Sequence, residues 1–358
     1  PRRCWPGAAR RRRTEPVRVL LTGATSLLGR ETVRLLLARG DEVTVLQRRP
    51  SGLACREIRG DIADAPVVAD AVAGMDAVVH LAAKVDVTGP WAAYVRANIE
   101  GTRNVVAACQ RAGVRRLVQV SSPSVAHAGV ALVGAGAAPA DPAHARGNYA
   151  RSKAAAELAA LAADSPELAV LAIRPHLVWG PGDTQLVERI VARGRAGRLP
   201  LIGSGAGLID TTYLDNAAAA LVAALDARAH GEALVVSNGE PRTVAEMLAR
   251  LCRAAGVPGP RARVPYRAAW LAGAAAEQVW RVPRLAGDAP PLTRFLAEQL
   301  ATAHWFDQRH TQEALRWAPR VSLAEGFTRL ATWYAAGAPE PGPGNSGAVR
   351  NDEPPRVE

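Results

Sequence analysis

Tyr149 and Lys153 stand four residues apart in GNYARSKAAAELAALAA, an uncommon pairing in this chain. The 358 residues contain five tyrosines, and of 44 basic side chains only Lys84 and Lys153 are lysines. At helical i, i+4 spacing the two side chains share one face. An ammonium beside a phenol is expected to lower the phenol's pKa from about 10 and favour proton exchange near neutrality. Upstream, RRLVQVSS ends an apolar run on Ser121 and Ser122, where a hydroxyl could polarise a carbonyl. The chemistry these residues suit is proton transfer to or from a carbonyl or alcohol oxygen. The alternative is a surface Tyr/Lys pair on an amphipathic helix.

Such chemistry needs an electron carrier, and VLLTGATSLLG offers a place for one. An apolar strand enters Gly23, and Gly29 follows six residues later at the head of a helix pattern, the context of a dinucleotide loop. Gly23 would make the tight turn, and Gly29 would let the helix pack closely. Thr25, Ser26, Leu27 and Leu28 would bring hydroxyls and amides to a pyrophosphate at a helix N-terminus. Ser26 occupies the middle position where glycine is usual. The second strand ends on Leu46-Gln47-Arg48-Arg49, without the carboxylate that would accept from ribose hydroxyls. Two arginines suit a 2′-phosphate, so NADP(H) is expected over NAD(H).

The elements that must position these residues alternate. Strands are predicted at 18–23, at DEVTVLQRR, at 76–83, at 115–122 and at 168–175. Helices are predicted at 26–40, at roughly 92–112 and from Tyr149 onward. Crossover connections of this kind imply a doubly wound parallel α/β sheet, a Rossmann domain, followed by a smaller and mostly helical substrate-binding domain. The expected boundaries are 16–175 for the dinucleotide domain, with 208–240 returning to it, and 176–207 plus 241–336 for the substrate domain. The arginine-rich segment 1–15 and the segment 337–358 are expected to be disordered tails.

Composition narrows the function further. The net charge of +11 owes five units to residues 1–15, so nucleic acid is not an expected partner. No window is long and apolar enough for a membrane span, and no leader pattern opens the chain. The apolar stretch 268–280 reads as a domain-packing helix before a membrane-surface one. Four scattered cysteines without paired spacing suggest a reducing cytoplasm and no disulfide framework. No metal is expected, since His80, His127 and His144 lack ligand spacing. His176, just past the 168–175 strand, and Lys84, just past the 76–83 strand, stand where doubly wound sheets place ligands. Lys84 could meet a substrate carboxylate or pair locally with Asp86.

Together, T-G-x-x-x-x-x-G, strand-end Ser-Ser and Y-x-x-x-K resemble the extended short-chain dehydrogenase/reductase superfamily. HLAAKV, NIEGTRNVV, RPHLVWGPGD and VSNGEP resemble its 3β-hydroxysteroid dehydrogenase-like branch. KVDVTGPW, SSPSV and LTRFLAEQLATAHWFD are most similar to 2-alkyl-3-oxoalkanoate reductases of bacterial olefin and β-lactone synthesis. The resemblance implies Ser122 as the carbonyl-binding residue, Tyr149 as the proton donor and Lys153 as the ribose-binding residue that lowers the tyrosine pKa. It implies Asp61 and Ile62 at the adenine, Leu81, Ala82 and Ala83 along the cofactor, and Pro175 to Leu177 near the nicotinamide. A lipid-like ketone is the implied substrate, and a homodimer is the assembly it allows. A 3β-hydroxysteroid dehydrogenase and a non-catalytic dinucleotide sensor are the alternatives. The loop 128–146, poor in large side chains, is expected to form a loose lid.

Overall fold

The computed structural model describes residues 16–86, 89–126, 129–279 and 292–337. The segment 1–15, His127 and nearly all of the segment 337–358 lie outside the described residues.

Seven parallel strands form the main sheet: β1 (Arg18–Thr22), β2 (Glu42–Gln47), β3 (Arg56–Arg59), β4 (Ala77–His80), β5 (Arg116–Val120), β7 (Ala169–Pro175) and β12 (Glu232–Val236). Their order is β3-β2-β1-β4-β5-β7-β12, so the chain reverses direction across the sheet between β1 and β4. Ligands bind at such a switch point, outside the strands' C-terminal ends. Strands such as VLLT, AVVH and LVQV are apolar at nearly every position because helices cover both faces. On one face lie α1 (Leu27–Arg39), α7 (Leu214–Ala224) and α11 (Arg309–Leu315), burying Val33, Leu36, Leu221 and Leu315. On the other lie α2 (Ala65–Val72), α4 (Gly101–Ala112) and α5 (Gly147–Leu161), burying Val68, Val105 and Ala160.

The helix expected at 92–112 is a composite. A short α3 (Trp91–Tyr94) runs through one π-helical turn, Val95–Glu100, into α4. α1 starts at Ser26, whose hydroxyl caps the Gly29 amide, and stops where Gly40 takes φ 90°.

Beyond β7, a second core gathers Trp179, Met247, Leu251, Phe327 and Leu330 between α6 (Val187–Arg195), α8 (Val244–Ala254) and α12 (Leu323–Ala335). α9 (Tyr266–Val279) packs on α10 (Arg294–Ala301) through Gly273, where an added Cβ would lie 2.6 Å from Thr293. Among the described residues no helix is long and apolar enough to cross a membrane.

Three small sheets complete the described residues. One joins β13 (Arg242–Thr243), β10 (Leu208–Ile209), β15 (His304–Phe306) and β6 (Leu132–Ala135). The others pair β8 (Val178–Trp179) with β11 (Thr212–Tyr213), and β9 (Leu201–Ile202) with β14 (Arg263–Val264). The described part of the expected lid, 129–146, is therefore tied down at two places. Its residues 132–135 pair in parallel with β15, and the guanidinium of Arg146 is hydrogen-bonded to the buried Glu298 of α10.

Candidate active site

The strand ends bring the expected cofactor residues to one edge. Gly23 has φ +80°, and a Cβ there would come 2.7 Å from the Ala82 amide, so the loop lies directly on Leu81 and Ala82. At Gly29 a Cβ would stand 2.4 Å from the Gly23 carbonyl. These two glycines let the loop lie close on the end of β4 and α1 lie close on the loop.

Ser26 acts differently from expectation. Its amide and hydroxyl both donate to the Gly23 carbonyl, at 3.2 and 2.8 Å, while the hydroxyl accepts from Gly29. Neither donor is turned outward to a phosphate. The N–H groups of Leu27 and Leu28 have no intrahelical acceptor by the geometry of a first turn.

The amide oxygen of Gln47, correctly oriented, accepts from the Gly23 and Ala24 N–H groups, which ties β2 to the loop. Arg48 and Arg49 are exposed beside it and have no carboxylate partner among the described residues. Asp61 follows β3, caps the Ala63 amide at 3.0 Å and lies 3.4 Å from Arg96. Ile62 is buried against Gly101.

The proton-transfer residues come from β5 and α5. Ser122 follows β5, with its hydroxyl 3.0 Å from that of Ser124. Tyr149 stands in the first turn of α5 and shares a cavity wall with Ser122. Burial raises the Tyr149 pKa, and a hydrogen bond with Ser122 only partly opposes it. This corrects the expectation of a lysine-lowered phenol. The Lys153 ammonium donates instead to the Val120 carbonyl at 2.6 Å. Lys153 is itself buried, which brings its pKa down to about 8 despite Glu157 one turn along α5.

A chain of hydrogen bonds fixes the surroundings. The Ala82 amide donates to the Thr22 hydroxyl at 3.1 Å, which then donates to His80 Nδ1 at 2.6 Å. That leaves the proton on His80 Nε2, facing Thr102 at 3.1 Å, and the Thr102 hydroxyl donates to the Asn98 carbonyl at 2.7 Å. Burial drives the His80 pKa down to about 3, so the ring is a neutral bracket.

Asn98 was not singled out by sequence. Its side chain accepts from the Lys84 amide at 2.6 Å and donates to the Lys84 carbonyl and the Ser152 hydroxyl, clamping the β4 end to α5. A buried amide inside an apolar helix pattern was the available signal, and the π turn around it is a device often found at functional sites.

From Ser122 and Tyr149 a cavity of about 1350 Å³ extends between the two cores, past Leu186, Ile190, Met247, Leu251 and Leu300. Ordinary small-molecule sites run to about 1,000 Å³. His176 lines it, and so does Leu177, held at φ 43°, a strained position for a branched side chain. Lys84 does not line the cavity. Its ammonium is hydrogen-bonded to Asp86 and stands 5.2 Å from the Tyr94 ring centroid. His144 pairs with Asp141 at the surface.

Residues 19–237 match the NAD dependent epimerase/dehydratase family. A 2-alkyl-3-oxoalkanoate reductase of Stenotrophomonas maltophilia is 42% identical over 332 residues, covering 89% of this chain and all of the relative. The human sterol-4-alpha-carboxylate 3-dehydrogenase, decarboxylating, is 28% identical and covers 87% of each chain. Among solved structures, MoeE5 in complex with UDP-glucuronic acid and NAD is 26% identical with a TM-score of 0.67, covering 89% of this chain and 99% of that one. The chain belongs to the NAD dependent epimerase/dehydratase family of extended short-chain dehydrogenases/reductases, and it is an NAD(P)-dependent oxidoreductase.

Proposed function

We propose that the protein reduces a 2-alkyl-3-oxoalkanoate to the corresponding 3-hydroxy acid, with NADP(H) as the preferred cofactor. The observation that carries this reading is the large apolar cavity opening from Ser122 and Tyr149. Its far wall, Leu186, Ile190, Met247, Leu251 and Leu300, is apolar, and each CH₂ buried there contributes about 0.8 kcal/mol. The similarity to the Stenotrophomonas reductase supports the same substrate class.

The bound nicotinamide supplies the hydride. Ser122 donates a hydrogen bond to the ketone oxygen and Tyr149 gives that oxygen its proton. A phenol whose pKa is raised stays protonated at neutral pH, which suits it to act as acid in the reducing direction. Lys153, titrating near 8, holds a proton one helical turn from the phenol, and in this reading it would meet the nicotinamide ribose. Leu27 and Leu28 present first-turn amides to the pyrophosphate, and Arg48 and Arg49 meet the 2′-phosphate. With the chain divided at 175/176 and 208–240 returning, the cavity would be lined from both units, by Ser122 and Tyr149 on the cofactor side and Leu186 and Met247 on the substrate side.

The test is oxidation of NADPH and of NADH against long-chain 2-alkyl-3-oxo acids and 3-ketosteroids. Turnover of the acids with NADPH preferred is expected. Turnover of steroids alone would replace this reading with the 3β-hydroxysteroid one, and dinucleotide binding without any turnover would favour a sensor.

A further inference from the structure

His176 and Asp210 form a buried pair that the proposed reaction does not use. Asp210 is fully buried between β10 and β11, and its Oδ2 accepts from the Ser237 hydroxyl at 2.7 Å and the Phe306 amide at 2.9 Å. Its Oδ1 lies 2.6 Å from His176 Nδ1, and among the described residues His176 is its one cation-forming partner. The imidazole stands edge-on to the rings of His304 and Phe306, at 5.2 and 5.1 Å, and the cavity lies on its remaining side. Nδ1 is taken, and Nε2 has no protein partner among the described residues.

Position along the sheet matters next. Val120 of β5 is in register with Ile173 of β7, so Ser122 falls opposite Pro175 and His176 follows immediately. Neighbouring strands lie about 4.8 Å apart. In a 3-oxo acid the carboxylate carbon is two bonds from the ketone carbon. A ketone at Ser122 and Tyr149 therefore carries its carboxylate into the neighbourhood of the next strand end. Among the described residues, the arginines that line the cavity are Arg146 and Arg294, already hydrogen-bonded to Glu298 and Glu277.

We propose that the His176–Asp210 pair is the carboxylate receptor of the cavity, with Nδ1–H held by Asp210 and Nε2–H donated to the carboxylate of a 3-oxo acid. The proposal rests on the reductase reading above. A ring protonated on Nδ1 alone offers only a lone pair at Nε2, so the carboxylate is held by the ring protonated on both nitrogens. The groups facing the ring are Asp210, with Ser237 behind it, His304 and Phe306 of β15, and, across the cavity, Ser122 and Tyr149.

The receptor also guards the substrate. Loss of CO₂ from a 3-oxo acid breaks the bond between C1 and C2 and leaves its electron pair as an enolate on the ketone oxygen. C2 is then protonated to give a ketone. Ser122 and Tyr149 would stabilise that enolate oxygen, whereas a cation on the carboxylate stabilises the intact acid and opposes the cleavage.

The experiment compares a 2-alkyl-3-oxo acid with its methyl ester in the wild type and in His176→Gln. The wild type is expected to show the lower KM for the acid. His176→Gln should raise that KM about ten- to a hundredfold, as for losing a hydrogen bond to a charged group. The ester's KM should stay unchanged, and more of the acid should emerge as ketone and CO₂. Equal losses for acid and ester, or a wild type indifferent between them, would overturn the receptor and leave the reductase reading standing. A wild type that reduces neither removes both. Should the variant fail to bind dinucleotide, ¹⁵N-histidine NMR of the wild type with a 3-hydroxy acid at about pH 8 decides, since the acid requires one ring protonated on both nitrogens. Rings all singly protonated in that complex would overturn the proposal.

Discussion

Replacing Lys153 with methionine separates its electrostatic cost from its chemical use. The side chain is 4% exposed, and its pKa falls from 10.5 to about 8 because burial penalises the ammonium. At about 1.4 kcal/mol per pH unit, this difference corresponds to about 3 kcal/mol of stability withheld while the group is charged. The sign follows from proton counting. Between about pH 8 and 10.5 the folded chain has released the proton while the unfolded chain still holds it, so stability rises with pH through that window. Lys153→Met has no such proton. Urea denaturation at matched pH values should show the wild type gaining about 3 kcal/mol on the variant between pH 7 and 10.5. The variant's reductase turnover should fall at every pH. Parallel stability curves would refute the reasoning, because they would mean that the ammonium is as well solvated in the folded chain as in the unfolded one.

Tyr149→Phe deletes the proposed proton donor and should lower kcat by about 10²–10⁴ while fluorescence titration still shows dinucleotide binding; near-normal turnover would require another donor. Arg48→Ala with Arg49→Ala should shift the ratio of kcat/KM values from NADPH toward NADH, whereas an equal loss for both would assign the arginines to folding. Ser26→Ala removes a helix cap and should cost about 1 kcal/mol in chemical denaturation, while Ser26→Gly should cost only a few tenths and leave NADPH affinity intact or improved. A large affinity loss in Ser26→Gly would show that the hydroxyl reaches the phosphate after all.

The parallel sheet was readable because its central strands are apolar at most positions and its helices are bounded by Ser26, Gly40 and Gly113. β3 was not, since REIR lies at the sheet edge with a half-exposed, charged pattern. The two-residue strands past Pro175 carry no period to read. Residues at the strand ends were found because loop spacing and Y-x-x-x-K are local. The local roles of Ser26 and Lys153 were not, because Ser26 turns inward to Gly23 and Lys153 reaches Val120, 33 positions away. Asp210 and Asn98 were missed for a related reason. Each matters through partners contributed by distant segments, as Asp210 does through His176, Ser237 and Phe306.

The pairing of Leu132–Ala135 with His304–Phe306 has a consequence for synthesis on the ribosome. The segment leading into the Tyr149 helix cannot find its partner strand until residue 306 has been made and released from the exit tunnel. At about 5–20 residues per second, the wait is on the order of ten to thirty-five seconds. Late in that interval, once β12 has been made, the seven-stranded sheet can assemble, while the wall of the cavity beside Tyr149 stays open to water. The nascent chain thus passes through a stage that can grip a dinucleotide yet has no closed place for a lipid, and a trigger for chaperone binding would lie at that exposed apolar wall.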